Sequence, residues 1–190
     1  MIYFRSRLRV LEAQLEKNVR QAVATSAIIM QREIKLTLSK SKSPSTPGTP
    51  PGVQTGHLRR SVQIDLSGLG NRNPQARIGP NTPYARIHEL GGTIAPVNVK
   101  YLPVPIGEKG RAARRAAGAT LRALKDLIFI RRKGKDPLLA RKTKDGIEPL
   151  FVLKKAVKMP KRPYVKPAAK AASKRIRAQF SAKRLLRGIP

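Results

Sequence analysis

Leu8, Leu11, Leu15, Val19, Val23, Ala27, Met30, Ile34 and Leu38 follow one another at steps of three or four residues. That spacing lines them up on one stripe of an α-helix about eight turns long, with Arg, Glu, Lys and Gln on the other faces. In a chain of 190 residues, so long a helix has to pack across a sheet or against a neighbouring copy. The whole stripe is expected to face a core.

The rest of the chain reads as short pieces. Residues 39–56, with four prolines, three glycines and several Ser/Thr, form a linker or flexible loop. Thr55–Ser61 starts a turn or short helix. Val62–Leu66 alternates apolar and polar as a half-buried strand, Gly68–Pro74 turns, and Ala76–Gly79 returns as its hairpin partner. Pro83–Leu90 has Tyr84, Ile87 and Leu90 at helical spacing and stops at Gly91-Gly92. Thr93–Val99 and Tyr101–Ile106 read as strands. Residues 107–126 read as an Ala/Arg-rich helical insert, Leu127–Ile130 as a strand, 131–148 as a loop excursion, and Pro149–Leu153 as a returning strand. No internal repeat is visible.

The segment Lys158–Ala169, KMPKRPYVKPAA, is a stiff basic strap. Pro160, Pro163 and Pro167 fix φ and lack a donor, so the strap is neither a helix interior nor a central strand. Pro167 reads as a first-turn proline opening a helix from about Ala168 to Leu186, with Ala169, Ala172, Ile176 and Phe180 on one stripe. Together the elements give an α+β chain: a long N-terminal helix, a small antiparallel sheet with a short helix inserted, and a basic C-terminal helix. One domain over 1–190 is expected, with a flexible loop at 39–56 and a basic insertion at 107–148.

Charge narrows the function. The chain carries 41 Lys+Arg against 10 Asp+Glu, a formal net charge of +31. Residues 1–95 hold 14 basic and 5 acidic side chains, and residues 96–190 hold 27 and 5. Such an excess repels itself unless a polyanion offsets it, and nucleic acid is the natural candidate. The contact candidates are Arg111, Arg114, Arg115, Arg131, Arg132, Lys133, Lys161, Arg162, Lys166, Lys170, Lys174 and Arg175. A membrane surface fits less well, because the basic runs lack tryptophan and bulky apolar surface. No stretch is long and apolar enough for a membrane span, and the N-terminus lacks a signal-peptide core. The expected location is a cytoplasm or a released particle.

Catalysis is not expected. With no cysteine and two histidines, Cys-based chemistry is excluded and a His-based zinc site lacks ligands. His88-Glu89 begins a metalloprotease-like pattern, but position 92 is glycine rather than a second histidine. The scattered carboxylates form no acid–base or two-metal pair, and phosphate-loop signatures are absent. No cofactor and no metal is expected. Glu89 reads as a salt-bridge partner for an arginine, and His88 as a polar position on a short helix. Base-specific readers such as helix-turn-helix or RNA-recognition patterns are not present, so any nucleic-acid contact would be to the backbone.

Three segments occur in order: Thr55-Gly56-His57-Leu58-Arg59-Arg60-Ser61, Pro83-Tyr84-Ala85-Arg86-Ile87-His88-Glu89-Leu90-Gly91-Gly92, and Pro160-Lys161-Arg162-Pro163-Tyr164-Val165-Lys166-Pro167-Ala168. Together they resemble the tail-completion, or head–tail joining, family of tailed bacteriophages, with its TGxLRxS turn, YAxxHExG helix and late RPFxxPA strap. Tyr164 stands where that family usually has phenylalanine, Leu90 where an aromatic is common, and the 107–148 excursion is longer than compact members need. The resemblance implies a non-enzymatic connector subunit at the neck or tail end of a virion, assembled in the host cytoplasm. It implies a ring of six or twelve copies, with connector, portal or tail-tube neighbours and packaged double-stranded DNA in the channel. Gly56, Tyr84, His88, Glu89, Gly91, Pro163 and Pro167 would then be structural positions. Two other readings stay open at this level: a non-specific nucleic-acid-binding protein of ribosomal or nucleoid type, and a tail-tube terminator.

Overall fold

The structure, a computed structural model, describes residues 2–41, 45–118, 120–144 and 146–189, so residues 42–44 of the 39–56 loop lie outside the described residues. In chain order the elements are α1 (Ile2–Ser39), α2 (His57–Arg60), β1 (Val62–Asp65), β2 (Arg77–Pro80), α3 (Ala85–Leu90), β3 (Gly92–Ile94), β4 (Leu102–Pro105), α4 (Gly107–Ala116), β5 (Leu127–Arg132), β6 (Lys135–Thr143), β7 (Gly146–Lys154), β8 (Val157–Met159), α5 (Val165–Gln179) and α6 (Ala182–Leu185). The fold is mixed α+β, with the long first helix, antiparallel pairing and basic last helix that the sequence predicts. The chain divides into two compact units. Unit 1 holds residues up to Gly91 and from Pro160 onward, and unit 2 is Gly92–Met159.

In unit 1, α5 and the β1–β2 hairpin pack on the C-terminal half of α1. Ile34, Leu38, Val62, Tyr164 and Ala168 form the buried cluster, with Met30, Leu58, Ile78 and Val165 against it. The hairpin is antiparallel, from Val62 opposite Pro80 to Asp65 opposite Arg77. The expectation that the whole α1 stripe faces a core is corrected here. Ala22, Ala27, Ile34 and Leu38 are buried, whereas Leu8 and Leu15 are 44% and 39% exposed. Length is the reason: at 1.5 Å per residue α1 reaches about 57 Å and α5 about 22 Å, so α5 covers only part of it. Among the contacts that hold the chain's end to α1, the Asn18 amide donates to the carbonyls of Leu185 and Arg187 at 2.7 and 3.0 Å.

The stripe of α5 also differs from expectation. Val165, Ala168, Ala172, Ile176 and Gln179 turn inward, while Ala169 is exposed and Phe180 is 41% exposed. The helix starts at Val165 rather than Ala168, and Ala172 and Ile176 are common to the expected and the observed face.

Unit 2 contains a four-stranded antiparallel sheet in the order β4-β7-β6-β5 and a two-stranded ribbon of β3 with β8. The expected loop excursion over 131–148 is instead most of the β6–β7 hairpin and the end of β5. Dense lysine and arginine hid the strand pattern, although Leu139 packs on the Ala113–Leu150–Phe151 cluster and Ala140 is buried. The helix expected over 107–126 stops at Ala116, where Gly118 takes φ 61°. That left-handed turn suits glycine. Only a short 3-10 turn, Leu121–Ala123, follows.

Pro149 decides how α4 sits on this sheet. The register between β6 and β7 passes from Leu139 opposite Phe151 to Ala140 opposite Pro149, leaving Leu150 as the extra residue of a β-bulge. A proline without an N–H is tolerated at such a break. On the β4 side the Leu150 carbonyl accepts the Ile106 N–H at 2.8 Å, one residue before α4. A Cβ on Gly110 would stand 2.2 Å from that same oxygen. Gly110 is therefore what lets α4 lie against the bulge, with its Ala113 packed on Leu150 and Phe151. Gly110→Ala is expected to destabilise unit 2 by about 1–3 kcal/mol through overpacking, whereas Gly134→Ala, with open space around it, strains only its positive φ. Urea denaturation followed at unit 2 resonances checks the difference.

Candidate functional site

The three sequence motifs meet in unit 1, around the start of α5. The first four N–H groups of any helix lack partners within it. In α5 those positions are Tyr164, Val165, Lys166 and Pro167. The Glu89 carboxylate accepts the N–H groups of Tyr164 at 2.7 Å, Val165 at 3.0 Å and Lys166 at 3.2 Å. Pro167 has no N–H to satisfy. One carboxylate from α3 and one proline thus account for all four positions. The negative charge also lies at the positive end of the helix dipole. The salt bridge to an arginine expected for Glu89 is not what the structure shows; its oxygens are taken up by backbone.

The strap is fixed along its length. The Arg162 N–H donates to the His88 carbonyl at 2.7 Å, and the Gly48 N–H donates to the Lys161 carbonyl at 2.9 Å. The Tyr164 ring is buried to 1% exposure, and its hydroxyl donates to the Ala85 carbonyl at 3.3 Å. Burial, then the nearby Glu89 carboxylate, push the Tyr164 hydroxyl up to about 12. The extended part is Pro160–Tyr164, shorter than expected, because Lys158 and Met159 belong to β8 and Val165 onward to α5.

The other motif residues close the cluster. Gly56, at φ 71°, leads into α2, and Gly91, at φ 69°, ends α3 with its N–H on the Ile87 carbonyl at 2.9 Å. His57 Nδ1 and the Tyr84 hydroxyl share a hydrogen bond of 2.9 Å. Tyr84 meets His88 edge-on, with 5.8 Å between ring centroids. Burial, and next the Arg162 cation, hold the His88 imidazole below its usual range. An open cleft of about 450 Å³ lies here, lined by His57, Tyr84, His88, Arg162 and the 51–56 loop.

The contact cations divide between the units. In unit 2, Glu108 binds both Arg111 and Arg115 at 3.0 Å and is held below the usual carboxylate range by these two partners, while Arg114 donates to the Gly118 carbonyl. Arg132 donates twice to the Asp136 carbonyl, at 3.0 and 2.7 Å, and with Arg131 and Lys133 lines a shallow depression beside Tyr101 and Lys155. In unit 1, Lys166, Lys170 and Lys174 are exposed at successive turns of α5, opposite the face on α1, and Arg175 pairs with Glu33. Lys161 is exposed, but Arg162 is turned into the cleft. Unit 1 holds 24 basic and 5 acidic residues and unit 2 holds 17 and 5, so each unit is strongly cationic by itself. Among the described residues no group of three or more His, Cys, Asp or Glu is placed to hold a metal, and no helix is long and apolar enough to cross a membrane.

Residues 3–91 match the family model described as "Bacteriophage HK97-gp10, putative tail-component". Over these residues the chain is similar to that family. The match takes in just under half of the chain, including α1, the first two motifs and Glu89, and supports a structural role in a phage tail. No curated protein and no solved structure matches the chain.

The Glu89 cap was reachable from the sequence only through the pairing of HE-x-G with a distant RPxxxP, since no local pattern links residues so far apart. Glu89→Ala leaves three helix N–H groups without their acceptor and is expected to cost about 2 kcal/mol or more. Faster hydrogen exchange at Tyr164, Val165 and Lys166 checks that the loss is at this cap. Tyr164→Phe is expected to cost about 1 kcal/mol at neutral pH. Because the folded-state pKa is raised, the stability tied to the Tyr164 proton is complete below about pH 10 and is lost as pH rises through about 12;. A pH series of urea midpoints should show this alkaline decline shrink in the variant.

Proposed function

We propose that the protein is a structural, non-enzymatic subunit of the head–tail connector of a tailed phage, acting in tail completion and assembling as a ring around the DNA channel. The observation that carries this reading is the convergence of the three ordered motifs on the Glu89-capped start of α5, within a chain whose first half is HK97-gp10-like. The motif residues Gly56, Tyr84, His88, Glu89, Gly91, Pro163 and Pro167 have structural work there, holding a strap and a helix in one place.

The charge gives the ring something to do. Among the described acids, Glu16, Glu33, Glu108, Asp136 and Glu148 pair with cations of the same chain, and Glu89 caps a helix. The remaining Lys and Arg greatly outnumber the carboxylates left to balance them. Facing a DNA channel, the lysine row of α5 would exchange condensed counterions for phosphates without reading bases. The exposed Leu8 and Leu15 of α1 offer apolar surface to portal, connector or tail-tube neighbours or to the next copy in a ring;.

Light scattering across a concentration series, alone and with the tail-tube protein, together with electron microscopy, tests assembly. Six- or twelve-membered rings are the expected result, and a monomer under every condition overturns the reading. Duplex-DNA binding should weaken steeply with salt. Charge reversal of Lys166, Lys170 and Lys174 should flatten the log–log slope by about 0.9 for each phosphate that is no longer neutralised.

A further inference from the structure

The cleft of unit 1 holds a cation that its own chain leaves without an acid. Arg162 Nε is buried and has no hydrogen-bond partner among the described residues. No described carboxylate forms an ion pair with Arg162, and the nearby Glu89 is taken up by the α5 cap. His88 Nδ1, in the same wall, is likewise buried without a partner. A buried guanidinium N–H and a buried ring nitrogen are each costly to leave unmade. Arg59 stands at the rim, tied to Ser39 at 3.0 Å, and His57 is held by Tyr84. The cleft is about 450 Å³, ample for a side chain but small for a duplex.

Its walls are not uniformly polar. The exposed side chain of Val53 lines it beside the cationic groups, with the core residue Leu38 behind. Phosphodiester backbone would meet an apolar wall here, whereas a polypeptide carrying a carboxylate next to an aliphatic side chain would fill both halves. From this geometry we infer that the cleft is a docking site for an acidic–apolar segment of a partner polypeptide, whose carboxylate pairs with the Arg162 guanidinium beside His88. The pairing would give the Arg162 guanidinium a charge-assisted bond in a partly dry site, where such bonds are strongest. Because burial and Arg162 disfavour protonation of His88, Arg162 rather than His88 supplies the charge. Arg162 thereby separates from Lys161 and Lys166, which remain free for solvent or a polyanion. The site does not depend on ring formation, since a lone subunit holds the whole cleft.

The test uses the full chain and a capped hexapeptide of alternating leucine and glutamate, followed by NMR at the His57 and His88 ring protons. Controls are the same peptide with glutamine for glutamate, inorganic phosphate, and a short DNA duplex. A saturable shift with the glutamate peptide is expected, roughly tenfold weaker with the glutamine peptide and roughly tenfold weaker in Arg162→Gln. Circular dichroism confirms that this variant keeps its helices. Should it unfold, Arg59→Gln at the rim takes its place, with about a threefold loss expected. The inference is overturned by no saturable shift, by equal binding of the two peptides, by unchanged binding in the folded variant, or by tighter binding of phosphate or duplex at His88.

Discussion

The carboxylate of Glu89 is the point on which unit 1 turns. A helix N-terminus needs acceptors, and α5 has no capping side chain of its own; Tyr164 at its N-cap makes no side-chain bond there. The acceptor comes from α3, far away in sequence, and it reaches three N–H groups at once. That contact sets where the helix begins, which residues face α1, and where the Tyr164 ring enters the core. The prolines of the strap lower the entropic cost of the arrangement. Pro163 narrows the conformations available to the segment before folding, and Pro167 removes the donor that Glu89 could not reach.

What the sequence made legible follows from the range of the forces involved. The 3.6-residue period of α1, the Val62–Asp65 hairpin, the short helix ending at Gly91 and the first-turn proline of α5 all rest on neighbours within a few residues. Those were readable. The β6–β7 hairpin was not, because a strand that carries Arg141, Lys142 and Lys144 on its way to a turn looks like solvated loop until its pairing partner is known. The phase of α5 was also hidden, since Ala169 and Phe180 fit a stripe with Ala172 and Ile176 as well as Ala168 and Gln179 do. Only the remote cap tells them apart. The N-terminal half of α1 shows the reverse case, where an apolar period is present and Leu8 and Leu15 are left exposed by the described residues.

The charge also looks different once the fold is known. Counted by halves of the sequence, the positive excess gathers toward the C-terminus. Counted by units, it is shared, because the last helix packs with the first. Self-repulsion is eased locally by short ion pairs such as Arg111 and Arg115 on Glu108 or Arg175 on Glu33. Exposed pairs of this kind are worth little each. Most of the cationic surface is left for whatever surrounds the molecule, and its effect will fade as salt rises.

The way the chain leaves unit 1 and returns to it has a further consequence. Gly92 and Met159 are partners in the β3–β8 ribbon, and just before the one and just beyond the other, His88 and Arg162 are joined by a backbone hydrogen bond. The intervening polypeptide therefore starts and finishes at nearly one point. Closing a loop grows costlier only with the logarithm of its length, about 0.6 kcal/mol for each doubling. Unit 1 is thus almost indifferent to how much chain is spliced in there. The ribbon acts as a socket: related molecules could carry a bare turn, this bulged sheet, or something larger at the same position without renegotiating the core that Tyr164 and Glu89 hold together.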